Sequence, residues 1–370
     1  MKTPVYVERD LLRHILPFLN RKEAIAIVGP RQAGKTTFLL HLADIMKKNG
    51  KKTKFFTFEK ESDLRLFQEN IEDFKDFISP FDVVFIDEFQ YARDGGKKLK
   101  YLYDTTGIKF FISGSSSLEL TFLTGRFMVG RMLKFELFPF SFREFLEMHD
   151  HELFLLLEKR FPLKNGLADF LLRFEMKQAF QQEIHDRLSA ALAKYLIFGG
   201  YPAISLAKTP IEKEKLLESI VENYILKDIR GLLRLITEDE LLRLSRFLAT
   251  QIGGMVQYSE LAMISLMPHH QIKKHLRILE ETYVLELLKP FFVNRRTELV
   301  KNPKIYFLDI GLRNYLIRDF REMPNRPDFG HIAENYVFSA FRKHQISPLR
   351  YWRTKSQAEV DFVLEIEGGV

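Results

Sequence analysis

The sequence predicts an α/β fold built on a parallel β-sheet that carries a phosphate-binding loop. Strand-like and helix-like patterns alternate through the first 150 residues. The first apolar strand, Ala24–Val28, runs directly into a glycine-rich loop, and a later strand, 83–86, is followed by two acids. Near-continuous apolar strands between helices are typical of a parallel sheet whose two faces are covered by helices.

The elements of this region can be predicted in order. Apolar residues at helical spacing indicate helices over 11–19, 35–46, 63–77 and 97–103. Apolar runs rich in β-branched and aromatic residues indicate strands over 24–28, 53–58, 83–86 and 109–113. Beyond Asp150 the pattern is helical to about residue 250, and the turn over 199–202 is expected to serve backbone geometry rather than chemistry.

The loop after the first strand has the pattern G-x-x-x-x-G-K-[ST], which is typical of nucleoside triphosphate binding. Its glycines let backbone N–H groups approach phosphate oxygens, and the helix that follows points its N-terminal dipole at them. Lys35 adds a charge for the β- and γ-phosphates, and Thr36 adds a hydroxyl for Mg²⁺. The predicted nucleotide-binding residues are the nine of this loop: Gly29, Pro30, Arg31, Gln32, Ala33, Gly34, Lys35, Thr36 and Thr37.

The acidic strand supplies a second motif for the same chemistry. Asp87 is the expected Mg²⁺ ligand, and Glu88 is the expected base that orients and deprotonates the attacking water. Either motif alone also occurs by chance, but the two together, in this order, favour an ATPase. ATP is the expected nucleotide because no N-K-x-D guanine-specificity signature is found.

Two further residues are candidates for catalysis. Ser115 follows the strand 109–113, where it would hold the attacking water or sense the γ-phosphate; the alternative is a helix N-cap. Arg131 is placed near the nucleotide edge, where it would stabilise transition-state charge in cis, or in trans within a homo-oligomer. The alternative for Arg131 is an ordinary salt-bridged loop arginine.

Composition limits the other classes of function. The chain has 370 residues, of which 46% are hydrophobic, so it can form two or three domains. A formal charge of +7 permits an anionic partner, and the absence of cysteine excludes disulfides and thiolate metal sites. Because neither a signal peptide nor an apolar run of bilayer-spanning length is found, we expect a cytoplasmic protein without a membrane partner.

A helix–turn–helix pattern with basic residues lies after residue 250. A short helix begins at Tyr258, a second helix spans 271–282, and strands are expected over 283–293 and 304–308. This order predicts a winged helix that contacts duplex DNA through its second helix and its wing. The alternative is a winged helix used only for protein packing. The candidate DNA-binding residues are Lys273, Lys274, Arg277, Arg295 and Arg296.

The C-terminal region contains carboxylates in an endonuclease-like order. Glu334 lies in a predicted helix and Asp361 on a predicted strand. In metal-dependent nucleases with this arrangement the carboxylates hold Mg²⁺, and a lysine on the next strand polarises the water or the phosphate. No such lysine follows Asp361. We therefore expect an incomplete site and no Mg²⁺-dependent nuclease activity.

Several motifs in a fixed order carry a resemblance to a known family. They include Gly-Pro-Arg-Gln-x-Gly-Lys-Thr-Thr, Ile-Asp-Glu-Phe-Gln, Ser-Gly-Ser-Ser-Ser and Leu-x-Pro-Phe-Ser-Phe-Arg-Glu-Phe. The chain resembles the prokaryotic AAA-type ATPases that carry a C-terminal winged-helix and restriction-endonuclease-like domain of unknown function. The resemblance implies that the helical segment caps the nucleotide edge as a lid, and that Arg131 is an arginine sensor or finger.

These patterns divide the chain into four predicted parts. They are an AAA-like P-loop ATPase domain over 1–150, a helical lid over 151–250, a winged helix-turn-helix over 251–310, and an incomplete endonuclease-like α/β region over 311–370. The favoured function is Mg²⁺-dependent ATP hydrolysis that moves a winged helix acting on DNA.

Two other functions remain open from the sequence. One is a slow nucleotide switch that binds a partner protein, with ATP and ADP as its ligands and no role for DNA. Glu88 favours hydrolysis over this alternative, because a pure switch does not need a carboxylate base. The other is a nuclease with ATP-gated access, which the missing lysine disfavours.

Overall fold

The computed structural model describes residues 6–115, 127–163, 166–167, 170–171, 180–223, 238–291, 302–354, 356 and 358–365. It divides into two compact units. The sheet unit consists of residues 11–138, and the C-terminal unit consists of residues 1–10 and 139–370. The finer division of the C-terminal unit into lid, winged helix and endonuclease-like region stays a prediction.

The sheet unit contains five strands within its described residues, all parallel, in the order β2-β3-β4-β1-β5. These strands are β1 (Ala24–Val28), β2 (Thr53–Thr57), β3 (Val83–Asp87), β4 (Lys109–Gly114) and β5 (Met132–Glu136). Strands β1, β3 and β4 are buried along their whole length, which explains their near-continuous apolar sequences. The predicted α/β fold with a parallel sheet is confirmed.

Five α-helices accompany the sheet in the described part of this unit. They are α1 (Leu11–Ile15), α2 (Lys35–Lys48), α3 (Glu61–Glu69), α4 (Ile71–Ile78) and α5 (Gly95–Thr105). The single helix predicted over 63–77 is two helices instead. Asn70 adopts an extended conformation, ends α3, and caps α4 by accepting a hydrogen bond from the Glu72 N–H at 3.0 Å.

The core of the sheet unit lies between α2 and the buried strands. Phe38 and Leu42 of α2 pack in one apolar cluster with Ile25 of β1 and Val83 of β3. Phe85 and Phe111 stack across adjacent strands with ring centroids 4.7 Å apart. This packing holds α2 against the buried strands and so fixes the loop between β1 and α2.

The C-terminal unit is mainly helical. Its helices are α6 (Phe142–His149), α7 (His151–Arg160), α8 (Gln182–Phe198), α9 (Pro202–Leu206), α10 (Pro210–Ile220), α11 (Glu238–Thr250), α12 (Tyr258–Ser265), α13 (His269–Glu281), α14 (Ile310–Ile317) and α15 (Phe329–Lys343). None of the helices in the described part of the chain is long and apolar enough to cross a bilayer.

Two antiparallel strand pairs complete this unit. Strand β6 (Leu285–Leu288) follows α13 and pairs with β7 (Lys304–Phe307), and β8 (Leu349–Arg353) pairs with β9 (Glu359–Leu364). Residues 292–301, which include the predicted wing with Arg295 and Arg296, lie outside the described residues.

The turn between α8 and α9 needs glycine for geometric reasons. Gly199 has φ of +75°, and a Cβ there would lie 2.1 Å from Asp309 Oδ1. The Gly200 N–H donates to Asp309 Oδ2 at 2.8 Å, and the Gly200 carbonyl accepts from Phe140 N–H at 2.7 Å. The turn therefore joins α14, α8 and the segment before α6, which agrees with its predicted role in backbone geometry.

Candidate functional site

The phosphate-binding loop connects the carboxyl end of β1 to α2. Gly29 has φ of +154°, and a Cβ at this position would lie 2.0 Å from the Leu137 carbonyl oxygen. Gly34 has φ of +92° and is the N-cap of α2, where a left-handed conformation favours glycine. The loop thus brings the N-terminus of α2 to the carboxyl edge of the sheet, where phosphates bind in folds of this kind.

Lys35 is held inside this loop. Its side chain is 5% exposed, and its Nζ donates to the carbonyl oxygens of Gly29 at 3.0 Å and Pro30 at 2.8 Å. Burial lowers the pKa of Lys35 to about 8, although the neighbouring Glu88 and Asp87 carboxylates oppose the shift. A buried ammonium whose partners are backbone carbonyls is well suited to exchange them for anionic phosphate oxygens.

The two predicted Mg²⁺ ligands lie in direct contact. Thr36 Oγ1 donates a hydrogen bond to Asp87 Oδ2 at 2.6 Å, although the two residues are far apart in sequence. Asp87 is 2% exposed at the end of β3. A hydroxyl and a carboxylate oxygen are the donor set that Mg²⁺ uses beside nucleotide phosphates, so these residues fit the predicted ion.

Ser113 supports Asp87, and the sequence did not predict this contact. The Ser113 hydroxyl donates to Asp87 Oδ1 and accepts from the Glu88 N–H at 3.2 Å. This contact exists because β4 lies between β1 and β3 in the sheet, so the end of β4 falls between the loop and the acids. The available sequence signal was a serine in a buried strand, two residues before Ser115.

Glu88 and Ser115 are linked through Gln90. The Gln90 Nε2 donates to Glu88 Oε2 and also to Ser115 Oγ, at 3.1 Å in the second case. Burial raises the pKa of Glu88, while the Lys35 charge and the Gln90 hydrogen bond oppose that rise. Gln90 received no role from the sequence, although it lies in the Ile-Asp-Glu-Phe-Gln motif. The segment 116–126 contains the predicted helix start that Ser115 would cap in the alternative interpretation, and it lies outside the described residues.

Arg131 is not placed as the sequence suggested. It immediately precedes β5, and its carbonyl accepts a hydrogen bond from the N–H of Ala24, the first residue of β1, at 2.8 Å. The loop follows the last residue of β1, so within one chain Arg131 lies at the opposite edge of the sheet. Its Nε pairs with Asp104 at 2.9 Å. The predicted placement near the nucleotide edge is wrong for a single chain, and a role in trans stays a prediction.

The candidate DNA-binding residues are only partly covered by the structure. Lys273, Lys274 and Arg277 are exposed on α13, whereas Ile272 and Leu276 of the same helix are buried. Arg277 pairs with Glu281 through a 2.8 Å contact. The helix therefore exposes these three basic residues to solvent, and their contact with DNA stays a prediction.

The C-terminal carboxylates converge on a lysine that was not predicted from the sequence. Lys304, at the start of β7, is buried and lies 2.9 Å from Glu334 Oε1 and 3.2 Å from Asp361 Oδ1, and it forms an ion pair with Glu359. An ammonium has three N–H donors, and these three carboxylates use them all. The space between these carboxylates is therefore occupied by the Lys304 ammonium rather than open to a Mg²⁺ ion. Lys304 precedes both predicted acids in the chain, so no lysine follows Asp361, and the incomplete nuclease site stays a prediction.

Three family matches cover separate parts of the chain. Residues 21–146 match the family described as an AAA domain. Residues 189–322 and 329–370 match two domains of unknown function, DUF8612 and DUF4143. The first match confirms the P-loop AAA-type part of the predicted resemblance, and the winged-helix and endonuclease-like parts stay predictions.

Curated relatives extend over most of the chain. An uncharacterized protein of Haemophilus influenzae is 23% identical over 330 residues, covering 86% of this chain and 75% of the relative. An uncharacterized protein of Mycobacterium tuberculosis is 25% identical, covering 97% of this chain and 71% of the relative. An uncharacterized protein of Methanocaldococcus jannaschii is also 25% identical, covering 98% of this chain and 75% of the relative. The similarity thus includes both units.

Solved structures with similarity include two nucleotide-bound proteins. AMPPCP-bound DnaA from Aquifex aeolicus is 16% identical, with 74% of this chain and 86% of that chain covered and a TM-score of 0.30. The ADP form of the Aeropyrum pernix ORC2 protein is 14% identical, with 86% and 95% covered and a TM-score of 0.40.

Proposed function

We propose that this chain binds ATP together with Mg²⁺ at the loop 29–37 and hydrolyses it. The observation that carries the proposal is the 2.6 Å contact between Thr36 Oγ1 and Asp87 Oδ2, beside the buried Lys35 amine. These are the hydroxyl, the carboxylate and the cation that nucleotide hydrolysis of this class requires. The domain match over residues 21–146 supports the same assignment.

Each residue has a distinct task in this proposal. The backbone N–H groups of the loop and the Lys35 ammonium hold the β- and γ-phosphates. Thr36 and Asp87 would hold the Mg²⁺ ion, which neutralises developing phosphate charge. Glu88 orients a water molecule and accepts its proton as the water oxygen attacks the γ-phosphorus. The bond from phosphorus to the bridging oxygen breaks, which releases ADP and phosphate.

We further propose that nucleotide turnover is coupled to DNA through α13. The exposed basic residues Lys273, Lys274 and Arg277 lie on the second helix of a helix–turn–helix order, Tyr258–Ser265 followed by His269–Glu281. A basic helix face of this kind suits contact with phosphates in a groove. The competing function is a nucleotide-dependent switch that binds a partner protein and hydrolyses ATP slowly.

The decisive experiment compares binding and turnover in two variants. Lys35→Ala removes a charge-assisted contact worth about 1.5–3 kcal/mol, so its affinity for ATP should fall roughly ten- to a hundredfold. Glu88→Gln should keep its ATP affinity and lose turnover, because the amide retains the shape but cannot accept the proton. Isothermal titration gives the affinity and phosphate release gives the turnover.

Controls make these outcomes specific. Lys48→Ala removes an exposed lysine from the same helix and should leave binding and turnover unchanged. Wild-type turnover in Glu88→Gln would show that Glu88 is not the base. Slow turnover that neither duplex nor single-stranded DNA alters, in a protein that binds ATP normally, would favour the switch.

A further inference from the structure

The C-terminal unit contains a cavity with an unusually basic lining. Its volume is about 610 Å³, and it lies among α6, α8, α9 and α10. Among the described residues, no acidic side chain lines it. Four basic side chains do: His149, Lys194, Lys208 and Lys213. The remaining wall is apolar and includes Met148, Phe198 and Leu206.

Lys213 is the most unusual member of this lining. It is 8% exposed, and its Nζ lies 5.1 Å from the centroid of the Phe198 ring. Burial lowers the pKa of Lys213, and the Lys194 charge lowers it further. Neither lysine forms an ion pair within the described part of the chain. A buried ammonium without an acid is costly, which suggests that its counter-ion is a ligand.

His149, which lines the same cavity, also has a lowered pKa. Burial lowers the pKa of His149, and the Lys213 and Lys194 charges act in the same direction. Lys208 differs from these residues because the Glu212 carboxylate is close to it, accepting hydrogen bonds from the N–H groups of Lys208 and Thr209. Lys194 is exposed, so the buried positive charge without an acidic partner is that of Lys213, and the Lys194 charge lies near it.

A polar group in the same wall also lacks a partner. Ser205 is 2% exposed, and its Oγ forms no hydrogen bond within the described residues, whereas its backbone N–H donates to the Tyr201 carbonyl. Buried hydroxyls nearly always have a partner in folded proteins. An unsatisfied hydroxyl beside these two lysines is an observation independent of the charges, and it also indicates a missing acceptor.

We propose that this cavity binds a phosphorylated small molecule of about nucleotide size. A phosphate monoester carries close to two negative charges near neutral pH, so one group can neutralise both Lys194 and Lys213, and its oxygens can accept from Ser205 Oγ. The apolar wall formed by Met148 and Phe198 contacts the rest of the ligand. The cavity volume lies within the range of about 300–1,000 Å³ that is usual for small-molecule sites. This site shares no residue with the loop 29–37.

The test uses the full chain with inorganic phosphate, ribose 5-phosphate and AMP as probes in isothermal titration. Lys35→Ala serves as the background so that the loop 29–37 contributes little binding. We expect one site at which the three probes compete. Lys213→Met retains an apolar stem against Phe198 but removes the charge, and it should weaken the affinity at least tenfold. Affinities that rise from phosphate to ribose 5-phosphate to AMP would identify a nucleotide ligand.

A matched control and a milder variant complete the test. Lys215→Met removes an exposed lysine of the same helix and should leave the affinity unchanged. Ser205→Ala removes only one hydroxyl, so it should disturb the fold less than Lys213→Met, and it should weaken binding about threefold or more. It keeps the test valid if Lys213→Met unfolds. Lys194→Met, which removes the second lysine, is tested in the same Lys35→Ala background. The proposal is overturned if none of the probes binds the Lys35→Ala protein, or if adding Lys194→Met or Ser205→Ala to it leaves the affinity for the probes unchanged.

Discussion

At the scale of single residues, Gln90 connects two groups that the nucleotide chemistry would use. It donates to the Glu88 carboxylate and to the Ser115 hydroxyl, and its own Oε1 is buried without a hydrogen-bond partner among the described residues. A side chain so placed orients Glu88 and stabilises the ionised carboxylate. The same contact links Ser115 to Glu88, a link that the proposed sensing of the γ-phosphate by Ser115 would require.

We predict that Gln90→Leu lowers the turnover of ATP about tenfold without changing ATP affinity. Losing the donor also raises the pKa of Glu88 beyond the increase caused by burial. A base must be deprotonated to act, so the acidic limb of the kcat–pH profile should move to higher pH. Gln68→Leu is the control, because Gln68 donates to the Tyr91 carbonyl at 3.2 Å and not to Glu88. An acidic limb that stays at the wild-type pH would mean that Gln90 does not act on Glu88.

At the scale of elements, α13 buries its apolar residues and exposes Lys273, Lys274 and Arg277. Ile272, Leu276 and Leu279 belong to a large apolar cluster of the C-terminal unit, and His275 is buried on the same helix. The packing of the apolar face explains why the helix is stable with so many lysines and histidines. It does not require the basic face, which is therefore available for an anionic partner.

We predict that neutralising Lys273, Lys274 and Arg277 lowers the affinity for duplex DNA and makes that affinity less dependent on salt concentration. Removing one phosphate contact should reduce the slope of log affinity against log salt by about 0.9. Basal ATP hydrolysis should remain at the wild-type rate. The measurement is fluorescence anisotropy over a series of salt concentrations. A control variant neutralises three exposed lysines at the end of α2 and just beyond it: Lys47, Lys48 and Lys51.

The control should bind DNA with a slope close to that of the wild type. If the slope falls equally in both variants, binding is a property of the overall charge of +7 rather than of α13. If the wild type does not bind duplex DNA at low salt, the proposed contact between α13 and DNA is wrong.

At the scale of the whole molecule, Lys304 ties together segments that are distant in sequence. It belongs to β7, whereas Glu334 is on α15 and Glu359 and Asp361 are on β9. Tyr306 on the same strand also donates to Glu334 Oε1, at 2.5 Å. Burial by itself would lower the pKa of Lys304, but the hydrogen bonds to Glu359 and Glu334 outweigh it and raise this pKa above its ordinary value of 10.5.

We predict that Lys304→Met destabilises the chain by about 1–3 kcal/mol near neutral pH. Breaking a buried pair usually costs more, but Asp361 is 55% exposed and solvent screens its charge. A raised folded-state pKa means that this stability is complete below the unfolded pKa and is lost as pH rises through the folded one. The wild type should therefore lose its advantage above about pH 10.5, as measured by urea unfolding.

Lys343→Met serves for comparison, because it also removes a buried lysine of the same unit but breaks a pair with Asp309 and none of these ion pairs. The difference in the free energy of unfolding between the wild type and Lys304→Met should vanish at alkaline pH. The cluster should also support no Mg²⁺-dependent DNA cleavage, because the three N–H donors of Lys304 are already used. Cleavage of linear DNA that disappears in Asp361→Ala would contradict this view of the cluster.

The sequence by itself determined the features that depend on near neighbours along the chain. The loop 29–37, the acids Asp87 and Glu88, and the buried strands that precede them were all predicted and are present as described. The reason is local: a phosphate loop needs specific residues at fixed spacing, and a strand buried on both faces needs a continuous apolar run.

Only the tertiary structure decided which distant groups meet. The strand order β2-β3-β4-β1-β5 brings Ser113 to Asp87, and the register of β5 with β1 moves Arg131 away from the loop. The packing of β7 against α15 and β9 brings Lys304 to its carboxylates, and the packing of α8 near α10 brings Lys194 and Lys213 to one cavity. The periodicity of a sequence indicates which face of an element is buried, but not which other element packs against that face. These contacts depend on which elements pack together, so the sequence pattern could not predict them.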